Sequence, residues 1–244
     1  MQNPELLSFP NADELARAVA AAWLEEVAAS ARAGRAHCVA LSGGRITQKF
    51  FAAVVGLLRE GRRAGNPNFR DGNMPSLPNV HFFWADERCV PPTDAESNFK
   101  MADELLFQPL GVAPEKIHRI CGELPPAAGA ELAAKELAAV APRLDLVLLG
   151  MGEDGHVASL FPGEAEAEQA NPAVFRAVAN SPKPPSERVT LGYAAIAAAG
   201  QGWVLASGAG KEAALWESLS PAGRTPLARV LQSRSDARVF TDIR

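Results

Sequence analysis

Apolar residues recur at helical spacing from Asp13 to Ala33, behind Asn11 as a candidate cap and ahead of Gly34, and predict a long first helix. A short apolar run, His37 to Leu41, leads into Ser42-Gly43-Gly44 and a second helical pattern from Ile46 to Arg59, which reads as strand, turn, helix. Residues 60–78 are rich in Gly, Pro, Asn and Arg and predict a surface loop before the strand Val80 to Trp84. A polar loop, Asp86 to Asn98, precedes another short helix. Leu144 to Leu149 is almost uninterrupted apolar sequence, the pattern of a strand buried on both faces of a parallel sheet. Further strands are expected at Val174 to Val178, Arg188 to Leu191, Trp203 to Ala206 and Arg238 to Phe240, separated by helical segments such as Gly210 to Leu219 and Thr225 to Gln232. Strands alternating with helices predict a layered α/β fold with a mostly parallel central sheet. Ligands of such folds sit outside the carboxyl ends of the strands, so the loops at Ser42, Asp86, Gly150 and Ser207 are expected to line one crevice. No internal repeat or linker interrupts the pattern, and residues 1–244 are expected to form a single domain.

Composition removes several classes. Of 244 residues, 48% are apolar and 21% charged, the proportions of an ordinary globular domain, which excludes disorder, collagen-like repeats and coiled coils. Twenty-four Lys plus Arg against 28 Asp plus Glu give a net charge of −4, whereas a nucleic-acid-binding domain is normally basic, so nucleic acid is not an expected partner. Glu5, Asp13 and Glu14 precede the first basic residue, Arg17, so the positive start of a signal peptide is missing and no export is expected. The apolar stretches fall well short of the ~18 residues of a membrane span. Cys38, Cys89 and Cys121 are widely spaced and form no C-x-x-C pair, which argues against a disulfide framework or zinc knuckle and fits a reducing cytoplasm.

The densest chemical feature is Gly150-Met151-Gly152-Glu153-Asp154-Gly155-His156, directly after the buried strand. It contains a literal G-x-G-x-x-G. A dinucleotide site would need a following helix of several turns and an acidic residue at the end of the next strand. Here Phe161-Pro162-Gly163 stops a short helix-like stretch, and the next strand ends at Val178-Ala179-Asn180 without a carboxylate. Dinucleotide binding and a plain tight turn remain as alternatives. The chemical reading rests on Asp154 and His156, which flank one glycine at a strand's carboxyl end. Histidine exchanges a proton near neutrality. A neighbouring carboxylate fixes its tautomer and stabilises its charged form, and backbone N–H groups at a helix start attract an anion.

Three further segments bring cations or anion-binding turns to the expected crevice: Asp86-Glu87-Arg88 with Ser97-Asn98, Ser186-Glu187-Arg188 and Ser207-Gly208-Ala209-Gly210-Lys211. A fork-shaped guanidinium and a lysine suit a phosphomonoester, although charged residues after a strand are commonly just solvated loop. Ser42-Gly43-Gly44 fits a turn whose backbone N–H groups cradle phosphate. The sequence has no G-x-S-x-G, no H-E-x-x-H and only four histidines, His37, His81, His118 and His156, so neither a hydrolase elbow nor a zinc site has its spacing.

With these residues assembled, the chain resembles the 6-phosphogluconolactonases of the pentose phosphate pathway. The resemblance is carried by Leu41-Ser42-Gly43-Gly44, by Trp84-Ala85-Asp86-Glu87-Arg88-Cys89-Val90-Pro91 with Ser97-Asn98, and by the block Gly150 to Pro162, with Arg188-Val189-Thr190-Leu191 and Gly210-Lys211 in support. It implies a Rossmann-like α/β fold shared with the glucosamine-6-phosphate deaminases. Those relatives typically carry Asn-Gly-His and Asp-Glu-Tyr where this chain has Asp154-Gly155-His156 and Asp86-Glu87-Arg88, so the chain sides with the lactonases. The implied activity is hydrolysis of a sugar phosphate lactone without metal or cofactor. His156 would act as general base, Asp154 would orient it, and Arg88 would meet the oxyanion or phosphate. Arg188 and Lys211 would hold the phosphate in a pocket lined by Ser42, Gly43, Gly44 and Asp86. One departure is Arg45-Ile46-Thr47, where the family often has a small polar run after the double glycine; it leaves open whether Arg45 meets ligand or solvent. A dinucleotide-dependent oxidoreductase and a noncatalytic sugar-phosphate-binding regulator are the competing classes, and the sequence is silent on oligomeric state.

Overall fold

The computed structural model describes residues 4–63, 77–234 and 236–244. In chain order the strands and helices are β1 (Glu5–Ser8), α1 (Ala12–Arg32), β2 (His37–Leu41), α2 (Arg45–Arg63), β3 (Val80–Trp84), β4 (Asp86–Arg88), α3 (Asn98–Ala102), α4 (Gln108–Leu110), α5 (Pro126–Val140), β5 (Leu146–Gly150), α6 (Glu166–Gln169), β6 (Phe175–Val178), β7 (Arg188–Leu191), α7 (Tyr193–Ala198), β8 (Gln201–Ala206), α8 (Glu212–Leu219), α9 (Pro226–Gln232) and β9 (Arg238–Thr241). A π turn, Asp103–Phe107, joins α3 to α4. Six strands form a parallel sheet in the order β1-β9-β8-β5-β2-β3, which is the expected α/β architecture. β5 lies at its centre, and Leu146 to Leu149 are all buried. The chain runs from β2 outward to β3 and returns on the other side of β2 with β5, so the β2 and β5 loops open side by side at a reversal of strand order.

Local sequence explains the flanking layers. Asn11 caps α1 by accepting the N–H groups of Asp13 and Glu14 at 3.0 and 2.9 Å. The helix buries Leu15, Val19 and Trp23 on one side, and Trp23 packs against Phe50 of α2 and Phe82 of β3. Among the described residues no helix is long and apolar enough to cross a membrane.

Four features depart from the pattern read along the chain. Asp86 to Arg88 is strand β4 rather than the start of a loop. With β7 and β6 it makes a second, antiparallel sheet, so Val174–Val178 and Arg188–Leu191 do not extend the main one. Alternation of burial cannot say which sheet a short strand joins. The helix-like stretch after His156 is not helical: left-handed backbone at Gly155 (φ 75°) and Ala158 (φ 49°) folds residues 151–160 into bridged turns, and α6 begins only at Glu166. The anion site expected at a helix start beside His156 is therefore missing, and the dinucleotide fingerprint loses the helix it requires. The second helix continues to Arg63, and residues 64–76 of the expected surface loop lie outside the described residues. Finally, β1 and the Ala-rich α5 carry too little contrast in their sequence to have been marked.

Candidate active site

The loops after β2, β3, β5 and β8 meet at the carboxyl edge of the sheet around a crevice of about 630 Å³. Ser42, Asp86, Gly150 and Ser207 all line it, as their positions after the strands predict. Gly43, Gly44, Arg88, His156, Arg188 and Lys211 line it too. So do Arg45, Lys49, Glu153 and Lys183, which gives the crevice a marked excess of cations in an acidic protein.

His156 Nδ1 is hydrogen-bonded to Asp154 Oδ1, and the Asp154 carboxylate also takes the His156 backbone N–H at 3.3 Å. This fixes the proton on Nδ1 and leaves Nε2, which no described residue engages, as a free acceptor. Gly152 makes the arrangement possible, because a Cβ there would collide with the imidazole ring and Asp154 Oδ1. The ring of Phe161 packs 4.8 Å from the imidazole, and the Arg188 guanidinium lies 5.6 Å from the Phe161 centroid. Burial holds the His156 pKa below its ordinary value; the bond to Asp154 opposes that, and Lys183 adds to it. Burial is the largest single influence on the Asp154 carboxyl and would raise it, but the hydrogen bonds and charge of His156, with Lys183, together outweigh it and keep the group below its usual range. The lowered His156 pKa favours the neutral imidazole near pH 7.

The facing wall is the start of α2. Gly44, with φ 103°, turns the chain into the helix, and the Thr47 hydroxyl donates to Gly43 O at 3.0 Å. The first residues of this long helix, its electropositive end, line the crevice through Arg45 and Ile46. Ser42 Oγ is buried beside them and has no hydrogen-bond partner among the described residues. Arg45 is exposed and lines both the crevice and the adjoining groove. Burial, and then Arg45, depresses the Lys211 pKa, with Lys183 adding to the effect. The Lys211 loop is anchored from below, since Asp242 accepts Ser207 Oγ at 2.9 Å and Gly208 N at 3.2 Å.

Asp86 ties the two sheets together. Its Oδ2 accepts Ser159 Oγ at 2.6 Å, and Ser159 in turn accepts Arg188 Nη1 at 3.3 Å. Arg188 itself is almost wholly buried and donates to the carbonyls of Lys183, Pro184 and Pro185. Arg88 reaches the crevice with Nη1 on Glu96 O at 2.7 Å, and with Gly44 and Arg45 it also borders an adjoining groove. Glu87, which burial raises to about 6, accepts the N–H groups of Arg88, Asn98 and Phe99 and the Ser97 hydroxyl, and so shapes the whole 87–99 segment. Asn98 then donates to Asp86 O at 2.9 Å, and its Oδ1 fills the space where residue 43 would carry a Cβ. Gly43→Ala must therefore displace a buried amide that joins two walls. The variant is expected to lose about 1–3 kcal/mol of stability through overpacking, measured as a lower urea midpoint at unchanged slope.

Sequence reasoning left out Asn98 as a site residue, as well as Ser159, Glu153 and Lys183. Asn98 and Ser159 lie inside segments already singled out, but their shared partner Asp86 is 12 residues from the first and 73 from the second. Lys183 sits in Ser181-Pro182-Lys183-Pro184-Pro185, a proline-rich connection that reads as ordinary loop.

The carboxyl edge of a parallel α/β sheet thus brings a His–Asp pair and a cation-lined helix start to one crevice. Residues 10–240 match the family described as Glucosamine-6-phosphate isomerases/6-phosphogluconolactonase, and the chain belongs to that family. It is 33% identical to a 6-phosphogluconolactonase of Streptomyces coelicolor over 90% of this chain and 84% of that one. Against the 6-phosphogluconolactonase of Treponema pallidum the identity is 47% over 93 residues, which take in 36% of this chain and only 39% of the relative's length. Among solved structures, a 6-phosphogluconolactonase from Shewanella baltica superposes with a TM-score of 0.80 at 27% identity, covering 98% of this chain and 97% of that one.

Proposed function

We propose that the protein hydrolyses 6-phospho-D-glucono-1,5-lactone to 6-phospho-D-gluconate, as a cytoplasmic enzyme whose chemistry needs no metal ion. The observation that carries this reading is the His156–Asp154 pair, with Nε2 unengaged among the described residues, lining the same crevice as a buried and unpartnered Ser42 Oγ just before α2. One wall supplies a base and the other an anion site, which is what a phosphorylated lactone requires.

In the proposed reaction His156 Nε2 removes a proton from water as the water oxygen bonds to the lactone carbonyl carbon, and the carbonyl π pair moves onto its oxygen. The resulting imidazolium is stabilised by Asp154. When the oxyanion pair returns, the bond from the carbonyl carbon to the ring oxygen breaks, and His156 hands its proton to that leaving oxygen. The product acid then ionises in solution. Lys211 and Arg45, with Arg88 beside them along Gly44, are assigned to the phosphate, together with the Ser42, Gly43 and Gly44 turn. Asp86 is assigned to holding Ser159 and Arg188 in place. Arg188, expected from its position to hold phosphate, is reassigned, because its guanidinium is committed to Ser159 and to three backbone carbonyls. Both sheets contribute to the crevice, so residues 1–244 are proposed to act as one unit.

The test is freshly prepared 6-phosphogluconolactone in a pH-stat, with and without protein, against the spontaneous rate. Acid release well above the background, unaffected by a chelator, is expected. A rate equal to background would overturn the reading, and loss of activity on chelation would overturn its metal-independent part.

A further inference from the structure

The connection between β6 and β7 brings Lys183 to the lining of the crevice. Ser181 N donates to Ser186 O at 2.9 Å, and the Ser181 hydroxyl accepts Lys183 N and donates to Lys183 O, so the turn is closed on itself. Arg188, the first residue of β7, pins it from beneath by donating to Lys183 O at 3.0 Å, Pro184 O at 3.3 Å and Pro185 O at 3.0 Å. Phe161 and Ser159 in turn seat that guanidinium, and both come from the His156 segment. The turn is thus held by the same groups that surround the base. Its one cationic side chain, Lys183, lines the crevice with its ammonium 4.0 Å from Asp154 Oδ1, and no carboxylate closer than this neutralises it among the described residues.

We infer that Lys183 is a further catalytic residue of the proposed hydrolysis, its ammonium receiving the negative charge that develops on the lactone carbonyl oxygen, and that Arg188 is the positioning residue that presents it. The inference rests on the lactonase reading above. Charge balance favours it. Before attack the reacting corner holds Lys183⁺, Asp154⁻, a neutral His156 and a neutral carbonyl. After attack it holds Lys183⁺, His156⁺, Asp154⁻ and the oxyanion, so the net charge is unchanged and each new charge lies beside an opposite one. Arg88 is less suited to this task, since its guanidinium already serves Glu96 and it lies along Gly44 and Arg45. Lys183 also acts on the ground state, because a cation this close disfavours protonation of His156.

The experiment compares wild type, Lys183→Met and Lys183→Arg on 6-phosphogluconolactone across pH. For Lys183→Met, kcat is expected to fall about 10²-fold with KM little changed, the size of effect seen on losing one oxyanion donor. The acid limb of its pH–rate profile should move to higher pH, because removing a like charge lets His156 protonate sooner. Lys183→Arg should recover part of kcat and restore the limb. A raised KM at unchanged kcat would make Lys183 a phosphate ligand and overturn the inference. So would a loss of kcat with the acid limb unmoved, which marks a merely structural turn, or no change at all. An inactive wild type would instead bring down the lactonase reading and this inference with it, while an active wild type with an indifferent Lys183→Met defeats the inference alone.

Discussion

His156→Ala is expected to lower turnover by roughly 10² to 10⁴, the usual contribution of a positioned general base, while leaving the fold intact. The side chain packs on Phe161 and bonds Asp154 at the rim of a crevice, so its loss removes little core and exposes Asp154 to water rather than stranding it. Thermal unfolding should therefore change far less than rate. The same assignment fixes a pH dependence. Burial depresses the His156 pKa, so the neutral base persists through pH 7, and the specificity constant should stay flat there. It should decline only once the pH drops below the ordinary histidine value of 6.5. A variant that hydrolyses the lactone at the wild-type rate, or a wild-type limb lying above that value, would remove His156 from the base's role.

Much of this site was legible in the chain, for reasons that differ from element to element. Buried parallel strands announce themselves as apolar runs, and a ligand crevice must open at their carboxyl ends. For that reason the strand pattern alone places Ser42, Asp86, Gly150 and Ser207 on one edge, where they line one crevice. The pairing of Asp154 with His156 was equally accessible, because two residues around one glycine are forced close by local geometry alone. What could not be read were the long-range ties. That Asn98 abuts Gly43, or that Ser159 links Asp86 to Arg188, depends on how a second antiparallel sheet leans on the first, and nothing in a three-residue strand such as β4 encodes its partner. Burial misled in one case. Arg188 sits at a predicted crevice edge and has the right chemistry for phosphate, yet its donors turn to backbone carbonyls that a proline-containing turn leaves without strand partners.

That difference between two cations at one crevice separates a ligand contact from a scaffold, and substrate discrimination reads it. Lys211→Ala is expected to cut the specificity constant for the phosphorylated lactone, relative to that for glucono-δ-lactone, by about one to two orders of magnitude. This corresponds to the ~1.5–3 kcal/mol of a charge-assisted hydrogen bond. The argument is electrostatic as well as geometric. Burial and the neighbouring Arg45 both press Lys211 toward its neutral form, so a bound dianion would relieve a repulsion as well as gain a contact. Arg188→Ala is expected to behave otherwise. Removing its guanidinium frees the carbonyls of Lys183, Pro184 and Pro185 and withdraws the support of Ser159, so both lactones should be hydrolysed more slowly in similar proportion, with the discrimination ratio preserved. The measurement is the ratio of specificity constants for the two lactones in each variant. If Arg188→Ala collapses that ratio while Lys211→Ala leaves it unchanged, the phosphate lies at the β7 end of the crevice, and the start of α2 must hold the sugar instead.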